Sequence, residues 1–142
     1  MNSRTAFVLV LKLMGYAFIV VGALHVVLGL QADQLLGANI SAQSRADPGL
    51  DSQNRFYGAA FTLYGFLLLT IRDRLEQYSE ILRCLLWVFW GAGLVRLISV
   101  AIFGWPPLLM NLLLAIELTL PLALLVWHRS LRQIPREGHS PG

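Results

Sequence analysis

Apolar residues gather in four runs, at residues 6–30, 54–71, 81–103 and 107–127, and polar residues fall mainly between them. Each run is about as long as a helix must be to cross the hydrocarbon core of a bilayer. The pattern predicts an all-α fold: a four-transmembrane-helix bundle over residues 1–128, with one long outward-facing loop after the first span. The first run exceeds the roughly 7 to 15 apolar residues of a signal peptide, so it is expected to be a retained helix. The basic stretch 129–142 is expected to be a disordered tail.

A few polar or small residues punctuate each run. In the first, Lys12 lies near the start, where it can snorkel to headgroups. Gly15, Gly22 and Gly29 recur every seven residues on one face, which also carries His25. In the second, Arg55, Gly58, Thr62 and Gly65 follow a three-four-three spacing and share a small, polar face. The third holds Arg96 with Ser99 on the same face, and the fourth holds Glu117 with Pro121 four residues on. At about 1.5 Å per residue, Arg96 lies roughly 12 Å before the turn at Gly104 and Glu117 roughly 15 Å after Pro107. Opposite charges therefore sit at nearly equal depth on neighbouring helices. Pro121 lacks the N–H that would bond the Glu117 carbonyl, and a kink is expected there. Trp87, Trp105 and Trp127 read as interfacial anchors. Residues 31–53 form the one long polar connection, with Asp33, Arg45, Asp47, Asp51 and a Pro48-Gly49 turn signal. We expect a loop with one short helix, lying over the bundle end as a lid.

Composition narrows the choice of solvent. The 142 residues are 56% hydrophobic and only 13% charged, about half the charged fraction of an ordinary soluble domain, so lipid is the natural surrounding. The net charge of +3 does not point to nucleic acid, because the basic residues flank apolar runs instead of clustering. Arg4, Lys12, Arg72, Arg74, Arg83, Arg129, Arg132 and Arg136 fall on the side of both termini, and only Arg45 and Arg55 on the other. The positive-inside rule then places both termini in the cytoplasm. Cys84 is the single cysteine, which excludes an internal disulfide and a cysteine metal cluster.

With that orientation His25, Arg55, Arg96 and Glu117 all belong to the outer half, one ionisable group per helix. A charge at such depth costs about 2.5 to 3.5 kcal/mol on insertion scales and marks function by default. The candidate catalytic residues are Glu117 as general acid or base, Arg96 as the group that tunes it, and His25 as a second proton-transfer group. Arg55 is a candidate to hold an anionic or oxygenated ligand end, with Thr62 and Ser99 as hydroxyl contacts. The plainer alternative stands beside this one: an ion pair that fixes helix packing, hydroxyls bonded within their own helices, and glycines that serve close packing. No glycine-rich phosphate loop, nucleophile elbow, HExxH or paired cysteines appear. His25, His128 and His139 are too dispersed for a metal site, so neither metal nor cofactor is expected.

The order Gly22-x-x-His25, Asp51-x-x-Asn54-Arg55-x-Tyr57-Gly58, Arg96-x-x-Ser99, Gly104-x-Pro106 and Glu117 resembles the bacterial four-helix membrane proteins grouped as domain of unknown function 4345. The likeness runs to about His128. It implies a four-helix protein of the bacterial cytoplasmic (inner) membrane and ties His25, Arg55, Arg96 and Glu117 to the family pattern, without supplying an activity. Three classes of function follow: binding or acid–base transformation of a lipophilic small molecule entering from the outer leaflet, a structural or accessory membrane subunit, and, third, ion or proton movement. Expected partners are membrane lipids, that small molecule, and a second copy of the chain through the Gly15, Gly22, Gly29 face.

Overall fold

The computed structural model describes residues 2–133. The chain runs α1 (Ser3–Leu28), α2 (Gln31–Leu35), α3 (Ala42–Arg45), α4 (Pro48–Ile71), a single 3₁₀ turn (Arg72–Arg74), α5 (Ser79–Phe103) and α6 (Leu108–Gln133). The fold is all-α, and α1, α5 and α6 as far as Arg132 are long and apolar enough to cross a membrane, consistent with a multi-pass membrane protein. Helix α4 is also long, at 24 residues. Its first two turns include Asp51, Ser52, Gln53, Asn54 and Arg55, which shortens its apolar stretch, and it is not among those three.

Two boundaries differ from the pattern in the sequence. Helix α4 starts at Pro48, six residues before the apolar run, because Asp47 caps it: its Oδ1 accepts from the N–H of Gly49 at 2.8 Å and of Leu50 at 3.1 Å. Proline suits the first helical position, where no N–H is needed, so Pro48-Gly49 is a helix start and not a turn. The connection before it holds two short helices, α2 and α3, where one was expected. At the other end α6 continues past Trp127 to Gln133, so the tail expected from 129 begins as helix; the rest of that tail lies outside the described residues.

Helices α1 and α4 form an antiparallel pair with backbones in near contact. A methyl group on Gly22 would stand 2.6 Å from the Gly58 carbonyl oxygen, one on Gly58 2.7 Å from that of Gly22, and one on Gly65 2.5 Å from that of Gly15. Seven residues further along, a methyl on Gly29 would collide with the Asp51 carboxylate. Each heptad step on α1 thus meets a heptad step on α4, and only glycine admits this closeness. In lipid, where burying apolar groups brings no hydrophobic gain, close approach of this kind is what holds helices together. The Gly15, Gly22, Gly29 face, expected to receive a second copy, is covered within the chain by α4.

Helices α5 and α6 pack through side chains, with one close approach: a methyl on Gly93 would lie 3.0 Å from Glu117 Cβ. The two pairs join at the end that carries the termini. There Phe7, Leu11 and Met14 of α1, Leu68 and Ile71 of α4, Leu75, Leu82 and Leu86 of the next segment, and Leu124 and Leu125 of α6 form one buried cluster. Trp127 Nε1 donates to Ser3 Oγ at 2.8 Å, Tyr64 Oη to the Leu85 carbonyl at 2.6 Å, and Arg132 Nη1 to Ser79 Oγ at 3.1 Å. None of that cluster lies at the opposite, loop end, where each helix pair holds its own polar group.

Candidate functional site

The loop end carries two polar clusters. The first caps the α1–α4 pair. His25, buried near the end of α1, sits where Gly29 turns the chain back with φ +57°, so that Asp33 of α2 comes to lie over the imidazole. Nε2 of His25 is 3.2 Å from Asp33 Oδ1, and Nδ1 is 2.7 Å from the Val21 carbonyl oxygen. Both ring nitrogens therefore face acceptors. Asn54 of α4 donates from Nδ2 to the other Asp33 oxygen, which ties α1, α2 and α4 together.

One turn nearer the loop, Arg55 spans the same pair. Its Nε is 2.7 Å from Asp51 Oδ2, and its Nη1 donates to the carbonyls of Val26 at 2.7 Å and Val27 at 3.0 Å. These carbonyls belong to the last turn of α1, which the helix cannot satisfy for itself. Asp51 in turn accepts from the Leu30 N–H at 3.3 Å. The hydrogen bond from Arg55 holds the Asp51 carboxyl below the usual carboxylate range, against a smaller opposing effect of desolvation. Arg55 is therefore occupied with capping α1.

The second cluster lies between α5 and α6. Arg96 Nε stands 2.9 Å from Glu117 Oε2, so the two charges expected at equal depth do meet. The N–H is not aimed at that oxygen, which has no directed hydrogen bond among the described residues; the contact is an ion pair first. The partners differ in surroundings: the Glu117 side chain is 11% exposed and that of Arg96 43%. Nη1 and Nη2 of Arg96 make no hydrogen bond among the described residues. Arg96 borders a half-open groove of about 260 Å³, lined also by Ser99, Phe103, Trp105, Met110 and Leu114 beneath the Gly104–Pro106 turn. Ser99 is exposed beside Arg96.

The four ionisable groups expected in one pocket thus form two separate pairings, His25 with Asp33 and Arg96 with Glu117, while Arg55 joins the first cluster through Asp51. No contact between the two clusters occurs among the described residues. Thr62 is not directed into either: its hydroxyl donates to the Gly58 carbonyl at 2.9 Å. Pro121 is buried inside an uninterrupted α6. Among the described residues no three potential metal ligands stand together.

Sequence reasoning gave Asp33, Gly93 and Asn54 no role in the site. Asn54 and Asp51 stood in the motif opening α4. Asp33 could be found only by recognising that a glycine just past His25 reverses the chain. Gly93 precedes Arg96 by three residues, the spacing that places it on the same face.

Residues 6–128 match the family described as domain of unknown function, DUF4345. The chain belongs to this family. The match covers α1 to α6 and both clusters, and ends at His128, before the last helical turn. No curated protein and no solved structure matches the chain.

Proposed function

We propose that this DUF4345 protein spans the bacterial cytoplasmic membrane four times, with both termini in the cytoplasm, and binds a lipophilic small molecule at Arg96 in the outer half. The fourth crossing is α4: its glycine face runs along α1, and its polar first turns pair with α1 and α2 instead of meeting lipid. Orientation rests on the eight basic residues near the termini against the two near the loop.

One observation carries the binding assignment. Arg96 presents a half-exposed guanidinium, whose Nη groups make no hydrogen bond among the described residues, beside a groove, at a depth where a charge is costly and marks function. Ser99 adds a hydroxyl, and the aromatic rim of Phe103 and Trp105 suits a ligand whose body stays in lipid. Acid–base chemistry on such a ligand would pass through Glu117, which touches Arg96. His25, engaged at both ring nitrogens, and Arg55, engaged by α1, serve the architecture of the other pair.

Native mass spectrometry of the protein released from its own membranes tests this reading. A co-purifying lipophilic molecule is expected, lost on Arg96→Gln and kept on Arg55→Gln. A protein that carries nothing, or keeps its passenger without Arg96, rejects it. The contact of Gly93 with Glu117 favours a second reading, an accessory subunit in which the pair serves packing. An Arg96→Met, Glu117→Leu protein that keeps its assembly and cellular phenotype supports that alternative.

A further inference from the structure

The charge balance of the groove specifies the head of the ligand, an inference that rests on the binding role just proposed for Arg96. The groove has one cation, Arg96, and that cation already lies 2.9 Å from the Glu117 carboxylate. No other ionisable side chain among the described residues lines it. The site is therefore neutral as it stands, yet its charged side chain offers only donors, the Nη groups of Arg96, beside a Ser99 hydroxyl that can donate or accept. A ligand that brings a full negative charge would leave one uncompensated charge in a low-dielectric setting, which is strongly unfavourable. An uncharged oxygen acceptor uses the same donors without that penalty. The volume of about 260 Å³ is below the roughly 300 to 1,000 Å³ that encloses a whole ligand, so only the head fits and a tail must lie outside. Phe103, at 84% exposure, and Trp105, at 75%, stand at the mouth as apolar surface along which a tail can run.

We infer that Arg96 and Ser99 take the uncharged carbonyl head of a long-tailed lipid, an ester, ketone or quinone, and that Glu117 excludes anionic heads by neutralising Arg96. Glu117 is in this respect a specificity residue that need not touch the ligand. Removing its charge while keeping its shape turns the site cationic and admits an anion.

Methyl palmitate and palmitate share one tail and differ in head charge. Their binding to the full-length protein in detergent, read by native mass spectrometry at about pH 9 where the acid is ionised, tests the inference. The unaltered protein is expected to bind the ester at least about tenfold more tightly. Glu117→Gln is expected to raise palmitate affinity about tenfold or more, and Arg96→Gln to weaken both. Palmitate binding the unaltered protein as tightly as the ester, with dependence on Arg96, overturns the inference and leaves the binding reading intact. A Glu117→Gln protein with unchanged preference also overturns it. Failure of both probes to bind beyond the level of Arg96→Gln overturns the binding reading itself. The comparison of the two probes on the unaltered protein holds whether or not a variant folds.

Discussion

The two helix pairs of this protein solve the same problem in opposite ways. In α1–α4, glycines bring backbones together, and the ionisable side chains along the seam are spent on one another: His25 on Asp33, Arg55 on Asp51 and on the last carbonyls of α1. In α5–α6 a single glycine contact at Gly93 sets the spacing, and one arginine is left half satisfied. Dense packing consumes polar groups and leaves nothing for a ligand. The looser pair keeps a cation in reserve, and that is where a site can exist.

The largest effect should come from forcing the dense pair apart. Gly22→Leu places carbon where the Gly58 carbonyl now sits and is expected to cost about 3 kcal/mol, at the upper end for overpacking. Reversible unfolding in mixed micelles measures it. Gly91→Ala on α5, where nothing lies within 4 Å, is the contrast and should gain about 0.5 to 1 kcal/mol from helix propensity. Equal losses at both positions would erase the distinction between the pairs.

A smaller effect tests the ion pair. Glu117→Leu leaves Arg96 without its counter-charge and should cost about 2 kcal/mol, less than the full penalty of an enclosed pair because Arg96 is partly exposed. Adding Arg96→Met should recover most of that loss, since apolar replacement of both partners is often neutral. The same micelle titration reads both proteins. A double variant as unstable as the single one would show that the pair shapes α5–α6 as firmly as glycine shapes α1–α4.

The smallest effect concerns pH. Because Arg55 holds the Asp51 carboxyl below its ordinary range, the folded state binds that proton less readily than the unfolded state. The contribution is complete above about pH 4 and is lost as pH falls through the lower folded value. The Leu30 amide, which donates to Asp51, should show an NMR shift change on acidification in that range. Asp51→Asn should abolish the change. A Leu30 signal that moves equally in both proteins would detach Asp51 from the seam.

Much of this was legible in the sequence, unevenly. The apolar runs mark the long helices, and counting residues from the turn puts Arg96 opposite Glu117. The heptad of glycines announced a smooth face but not its occupant. The matching positions Gly65, Gly58 and Asp51 on α4 name that occupant once the two series are laid antiparallel. The start of α4 was hidden because Asp47-Pro48 serves turns and helix caps equally well, and the hydrogen bonds to Gly49 and Leu50 decide between them. Convergence of four charges was expected from depth alone. Depth says nothing of azimuth, and rotation about each helix axis put His25 and Arg96 in different clusters.

The glycine seam also bears on the order in which the chain is made. Once α4 has left the ribosome, α1 and α4 can close on each other with their ionisable groups already matched, before Arg96 or Glu117 has emerged. The second pair follows, and Arg96 enters with its counter-charge only a short turn behind it in synthesis. The costly charges are thus added last, to a first pair that needs nothing further from them at the loop end, and the leucine cluster beside the termini joins the halves.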